Sequence, residues 1–218
     1  MNYIIIPARE GSKGFPGKNR ILFPYMVKLL TAFNTDPNYS IIVTTDDKEI
    51  MDMAHKEDYT VIERPSWLAT DQATMRDVLI HVMADLDLNT QDKIIMLYLT
   101  YPERTAEDVK NAVDIYETRK GSSLLCQESI NEHPYLMCYA KRGLKGKQVT
   151  KHNEYRRQDY PDVFRISHYI FICEAENLFQ LNHNLYDVNT IYMNIENKID
   201  IDTEGDYEQF KSTCNPDG

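Results

Sequence analysis

The sequence predicts an α/β fold built on a mostly parallel sheet with helices on both faces. Short apolar runs recur along the chain, at Tyr3 to Ile6, Ser40 to Thr45, Tyr59 to Ile62, Lys93 to Leu99 and Ser122 to Cys126. Near-continuous Ile, Val and Leu of this kind belong to strands covered on both sides. Helical patterns lie between the runs, and strand, helix, strand repetition makes the strands parallel neighbours joined by crossovers.

Each element has its own signal. After the second strand, Ile50, Met53 and Ala54 set a helix whose start is at Asp46 and Asp47; capping accounts for both carboxylates without a function. Thr105 with Asp108 three residues on marks another helix start, Val109, Ala112, Val113 and Tyr116 line one face, and Gly121 ends it. From about 130 to 162 the rhythm breaks into a segment rich in Lys, Arg and Tyr, with Gly143 and Gly146 in a hairpin-like turn, which reads as an inserted arm. Phe164 to Cys173 returns to a long strand, and Gly205 to Phe210 begins a closing helix. No linker, repeat or low-complexity stretch divides the chain, so residues 1–218 are expected to form one domain with an excursion at 130–162.

With 218 residues, 42% hydrophobic and 27% charged, the chain can bury one substantial core. Its formal charge of -10 repels nucleic acid and anionic membranes at long range, so neither is expected as a partner. A polyanionic ligand would have to be met by a local basic patch. The opening MNYIIIPARE has too short an apolar run for a signal peptide or a membrane span, and a cytoplasmic protein is expected. Cys126, Cys138, Cys173 and Cys214 show no CxxC pairing, which leaves reduced thiols as the expectation.

The basic patch is the segment Ile4-Ile5-Ile6-Pro7-Ala8-Arg9-Glu10-Gly11-Ser12-Lys13-Gly14-Phe15-Pro16-Gly17-Lys18-Asn19-Arg20, a buried strand running into a glycine-spaced loop. Gly11, Gly14 and Gly17 let the backbone bring its N–H groups close to an anion. Arg9, Lys13, Lys18 and Arg20 against Glu10 give the loop a formal charge near +3 inside an acidic protein. A solvated basic turn would have the same composition. The position after the first strand, where ligands of α/β sheets collect, favours a polyphosphate ligand. The spacing is neither G-x-x-x-x-G-K-[ST] nor G-x-G-x-x-G, which disfavours a generic ATP- or GTP-binding protein or a dinucleotide fold.

This segment resembles the IPARGGSKGIPGKN motif of the acylneuraminate cytidylyltransferases, also called CMP-sialic acid synthetases. Further likenesses follow in order: Thr44-Thr45-Asp46-Asp47 to STDD, Arg64-Pro65 with Leu68-Ala69-Thr70-Asp71 to RPxxLAxD, and Thr100 with Pro102 and Arg104 to Asp108 to PTSPLRTAEDI. Arg156-Arg157-Gln158-Asp159 with Pro161, Phe164 and Arg165 resembles RRQDLPxxYR, and Asp200 to Glu204 resembles a terminal DIDTE. The likeness covers nearly the whole chain. It implies a Rossmann-like nucleotidyltransferase fold, transfer of CMP from CTP to an acidic sugar with release of pyrophosphate, and a homodimer whose arms cross the partner's site.

The resemblance also implies roles. Arg9, Gly11 and Ser12 meet the nucleotide, Lys13 and Lys18 stabilise the phosphates and the leaving pyrophosphate, Asn19 holds the loop or the ribose, and Arg64 and Asp71 lie beside the nucleotide. Asp200 and Asp202, two apart in an extended segment, share one face. On spacing alone a solvent face with a helix cap at Asp202 or Thr203 is the better reading; likeness to DIDTE turns it to an Mg²⁺ site, with Asp202 also catalytic. Arg157 and Arg165 suit a sugar carboxylate, because a guanidinium binds it bidentately. His133, before Pro134, matches a family histidine at the sugar, although such a residue is commonly a turn element. Arg156 equally suits a dimer contact.

The sequence departs from the family at the acceptor. Tyr98-Leu99-Thr100-Tyr101-Pro102-Glu103-Arg104 stands for Gln-Pro-Thr-Ser-Pro-Leu-Arg, so Tyr98 replaces the sugar-contacting amide. Arg165-Ile166-Ser167-His168 stands for Arg-Pro-Asn-Gly. Tyr98 and His168 thus reshape the sugar pocket, and the acceptor is expected to be a nonulosonic or 2-keto sugar acid other than N-acetylneuraminate. Two other readings stay open: a 3-deoxy-manno-octulosonate cytidylyltransferase, and a noncatalytic nucleotide-binding module that retained the loop.

Overall fold

The structure is a computed structural model that describes residues 1–140, 146–196 and 198–214; Gly143 and the side chain of Cys214 lie outside it. The chain runs β1 (Asn2–Pro7), α1 (Lys18–Leu30), β2 (Tyr39–Thr45), α2 (Lys48–Lys56), β3 (Thr60–Glu63), α3 (Met75–Leu86), β4 (Lys93–Met96), α4 (Ala106–Arg119) and β5 (Ser123–Ser129). It continues through β6 (Cys138–Ala140), β7 (Gly146–Gln148), β8 (Phe164–Glu174), β9 (Ile191–Asn194) and α5 (Glu204–Cys214).

Seven strands form one sheet in the order β3-β2-β1-β4-β8-β5-β9. All pairs are parallel except those of β8, which runs antiparallel to β4 and β5. The exception has a simple cause. The segment after β5 returns the chain to the end it left, pairing Ser129 with Phe164, so β8 reverses direction without a crossover helix. Within that segment β6 and β7 make a separate antiparallel pair.

Successive strand residues alternate between two cores, as pleating requires when both faces are covered. Ile4, Ile6, Val43, Ile95, Leu124 and Ile172 pack with Leu22, Phe23, Ile50, Val109 and Phe210 on one face. Ile5, Ile42, Ile94, Met96, Leu125 and Phe171 pack with Leu79, Val82 and Leu178 on the other. Helices therefore cover both faces, as the sequence predicted. Among the described residues no helix is long and apolar enough to cross a membrane. Cys126, Cys138 and Cys173 carry free thiols, and burial pushes the Cys126 thiol up to about 12.

Thr105 and Asp108 close a reciprocal capping box at the start of α4. Asp108 also accepts a 2.7 Å bond from the hydroxyl of fully buried Tyr169, which locks the helix start onto β8. Thr105→Ala should cost about 1 kcal/mol of stability, read from denaturant midpoints at unchanged slope. The predicted strand Lys93 to Leu99 pairs only as far as Met96. Beyond Leu97, whose N–H still reaches Ile5 O at 3.0 Å, the Tyr98 carbonyl accepts from Arg104 instead and the chain turns over the sheet's carboxyl edge. Arg104 is buried there with its guanidinium over the rings of Tyr101 and Tyr169, at 5.5 and 4.9 Å.

Candidate functional site

The loop from Ala8 to Gly17 leaves β1 at the sheet's carboxyl edge and is held by bonds from Ala8 N–H to Thr44 O at 3.0 Å, from the Thr45 hydroxyl to Ala8 O, from Glu10 N–H to Asp46 Oδ1 at 2.8 Å, and from Asn19 Nδ2 to Arg9 O at 2.8 Å. Gly11 and Gly17 take φ of 79° and 71°, the left-handed region in which a Cβ is strained. No side chain caps α1 and its first turn lacks an acidic residue, so the positive end of its dipole is left available to an anion. Gly14 answers a different need. A Cβ there would lie 2.7 Å from the Asp202 carbonyl oxygen, so the loop passes directly over the segment that carries Asp200 and Asp202.

The two regions share a cleft of about 720 Å³, within the range of roughly 300–1,000 Å³ usual for ligand sites. Its loop end is lined by Arg9, Ser12, Lys13, Lys18 and Asn19, its floor by Arg64, Asp200 and Asp202, and its far end by Tyr98, Tyr101, Arg165, Ser167 and His168. Gly11 lines an adjoining hollow of about 250 Å³ inside the loop.

The net positive charge read from the loop does not stand alone. Arg20 turns away from the cleft and binds Asp47 at 2.7 Å, Glu49 at 2.5 Å and Glu10 at 3.2 Å. Arg9 donates to Asp71 at 2.6 Å, and Lys13 pairs with the other oxygen of the same carboxylate. Those two cations hold the Asp71 carboxyl below the usual range, Lys13 contributing most. Lys18 pairs with Asp202 at 2.8 Å. Each of these cations thus has a carboxylate partner. Asp71 does not itself line the cleft; it stands behind Arg9 and Lys13 as their counter-ion.

Arg64 is 4% exposed, donates to the Thr44 carbonyl at 3.0 Å, and has an Nε without a hydrogen-bond partner. Burial lowers its guanidinium to about 10, which leaves it charged at neutral pH. A buried, incompletely satisfied cation on the cleft floor is a strong acceptor-seeking group.

At the far end the departures from the family pattern meet in pairs. Tyr98 and His168 contact edge to face with centroids 6.1 Å apart, and the Tyr101 hydroxyl lies 3.3 Å from Ser167 Oγ. Burial pushes the Tyr98 phenol up to about 12, so it is neutral at ordinary pH. Arg165 is held by Glu128 at 2.7 Å, and the two residues sit directly opposite in the β5–β8 ladder. Nothing local in the sequence marks Glu128; only the strand register that sets it opposite Arg165 does. Tyr101, whose hydroxyl donates to Asp200 Oδ2 at 3.0 Å, likewise has no local mark.

Two expected sugar contacts lie elsewhere. His133 and Arg157 do not line this cleft. His133 accepts from Tyr135 N–H at 3.1 Å through Nδ1, contacts Pro161 O at 3.0 Å through Nε2, and packs on the Tyr135 and Tyr160 rings. Arg157 starts a short turn of 3₁₀ helix in the arm.

Among the described residues no three acidic, His or Cys side chains cluster as a complete metal site. Asp200 and Asp202 supply hard oxygens at the cleft, and one oxygen of each takes no hydrogen bond from a described residue. That donor set fits Mg²⁺, which takes one or two carboxylates and fills its shell with water and phosphate.

A family model described as cytidylyltransferase matches residues 3–214. The chain is 28% identical over 211 residues to an N-acylneuraminate cytidylyltransferase of Streptococcus agalactiae serotype III, aligning 93% of this chain with 51% of that protein. It therefore spans about half the length of the streptococcal relatives it matches. A CMP-N,N'-diacetyllegionaminic acid synthase of Legionella pneumophila is 29% identical over 219 residues, covering 93% of this chain and 91% of that one. Among solved structures, CMP:2-keto-3-deoxy-manno-octonic acid synthetase complexed with CTP aligns at TM-score 0.72 and 15% identity, over 100% of this chain and 99% of that one. That likeness speaks to the fold.

Proposed function

The chain belongs to the cytidylyltransferase family, and on that premise we propose that it transfers CMP from CTP to an acidic sugar other than N-acetylneuraminate. The observation that carries this reading is the common cleft in which the glycine loop and the Asp200–Asp202 segment face each other, bridged by Lys18 and Asp202. In the reaction an acceptor hydroxyl forms a bond to the α-phosphorus, the bridge to the β-phosphorus breaks, pyrophosphate leaves and the hydroxyl gives up its proton. Such a step is governed by positioning and charge neutralisation.

Arg9, Ser12 and the loop backbone bind the triphosphate, Lys13 and Lys18 balance the charge on the departing pyrophosphate, and Asn19 keeps the loop in shape. Arg64 sits beside the nucleotide, and Asp71 releases Arg9 and Lys13 as phosphate arrives. Asp200 and Asp202 would hold Mg²⁺, which supplies charge neutralisation at the α-phosphate when bound. Arg165, oriented by Glu128, takes the acceptor carboxylate, while Tyr98 and His168 set the shape of the pocket around the sugar. Paired replacement of cleft residues that touch each other supports a changed acceptor.

The arm at 130–162 packs on a second copy of the chain. Its surface carries Leu136, Met137, Tyr139 and Tyr155, the last 95% exposed, and the partner's cleft is the place for His133 and Arg157. A monomeric mass at micromolar concentration would remove this inference. The cytoplasm, where CTP is made, is the proposed location.

An acceptor panel tests the function. The purified protein with CTP and Mg²⁺ should release pyrophosphate in the presence of a nonulosonic or 2-keto sugar acid, and chelation should stop it. Turnover of N-acetylneuraminate as fast as of N,N'-diacetyllegionaminate and 3-deoxy-manno-octulosonate would end the claim of a changed acceptor. CTP binding with no acceptor-dependent release from any acid would favour the noncatalytic module.

A further inference from the structure

The short segment after β4 reaches the Asp200 region three times. Thr100 O accepts from Ile201 N–H at 2.9 Å, Glu103 Oε1 accepts from Ile199 N–H at 2.6 Å, and the Tyr101 hydroxyl donates to Asp200 Oδ2 at 3.0 Å. The first two bonds fix the backbone on either side of Asp200. The third fixes its carboxylate plane.

Tyr101 is itself closely packed. It is 6% exposed, its ring meets Tyr169 edge-on with centroids 5.2 Å apart, and the Arg104 guanidinium lies over its face. Because its one proton goes to Asp200, the Ser167 hydroxyl 3.3 Å away must donate to it, and Ser167 Oγ in turn accepts the Tyr169 N–H at 3.3 Å. Chained hydrogen bonds of this kind polarise one another and resist reorientation.

We propose that Tyr101, braced by Ser167, is the positioning residue that turns the Asp200 carboxylate so that its other oxygen faces a divalent cation in the cleft. The proposal rests on the reading of Asp200 as a cation ligand given above. Hydrogen-bond partners of metal ligands govern affinity through ligand orientation, and their loss typically weakens binding about 10- to 100-fold.

The test is Tyr101→Phe, which removes the hydroxyl and keeps the ring against Tyr169 and Arg104. Mn²⁺ binding to the protein–CTP complex, followed by electron paramagnetic resonance, should weaken about tenfold, while CTP binding without metal stays as in wild type. The Mg²⁺ concentration for half-maximal turnover should rise about tenfold, with kcat at saturating Mg²⁺ within about threefold. Ser167→Ala, which leaves Tyr101 in place, should move both quantities the same way by about threefold and carries the test should the Phe variant misfold. Unchanged Mn²⁺ affinity in both variants, with wild type binding the ion, overturns the role of Tyr101 alone. Failure of wild type to bind Mn²⁺ in the CTP complex overturns the ligand role of Asp200 and this proposal with it.

Discussion

Lys18→Ala should lower pyrophosphate release from CTP and acceptor about a hundredfold, at little cost to the melting temperature. Lys18 opens α1, where the helix end is already positive, and its side chain is only 12% exposed although it carries a full charge. Its partner is Asp202, on the segment proposed to hold the cation. A charge-assisted hydrogen bond of this kind is worth about 1.5–3 kcal/mol, or roughly tenfold to a hundredfold in rate. The upper end applies here because the Lys18 side chain itself is mostly buried and because Asp202 loses its counter-ion as well. Lys13 supplies the internal comparison. It is 81% exposed and shares Asp71 with Arg9, so Lys13→Ala should cost about tenfold. Steady-state assays of the two variants check the order. Lys18→Ala within threefold of wild type would remove the loop from the chemistry.

The glycine-spaced loop and the Thr105–Asp108 capping box could be read from the sequence because their residue spacing is a local signal, although contacts with Thr44, Asp46 and Asp202 fix the loop's final shape. The positions of β1, β2, β3, β5 and β8 were legible for the same reason, whereas the short edge strand β9 (Ile191–Asn194), with exposed Asn194 at its end, carries no such run and was not. The end of β4 was not, because the turn at Tyr98 depends on a buried arginine whose position only tertiary packing fixes. Charge balance in the loop is hidden from the sequence on similar grounds. Its counter-ions Asp71 and Asp202 lie 58 and 184 residues away from Lys13 and Lys18, so a local count of cations returned an excess that the fold cancels. Glu128 against Arg165 and Tyr101 against Ser167 and Asp200 are pairings of register and topology. Neither has a signature within any window of sequence.

Gly14→Ala should abolish most activity, by about a hundredfold or more, while the fold survives. The substitution costs nothing in backbone conformation, since among the described glycines only Gly11 and Gly17 have positive φ. Its effect is steric: the new Cβ would lie 2.7 Å from the Asp202 carbonyl oxygen, a backbone atom that cannot rotate aside. One segment has to move. The Asp202 side is pinned by fully buried Ile201 and its bond to Thr100 O, so the loop gives way. A shift of about 1 Å at a reacting centre can cost about a hundredfold in rate. Here it would carry Lys13 and Lys18 away from the phosphates. Gly121 gives the contrasting case, because a Cβ there would meet Asn189 O and the Ile191 side chain at 2.6 Å, and none of these residues lines the cleft. Gly121→Ala should therefore lower the melting temperature and leave the rate per folded molecule near wild type, and Gly14→Ala should do the reverse. If both variants lose stability and activity in proportion, the close pass of the loop over Asp202 is a packing feature and not part of the catalytic arrangement.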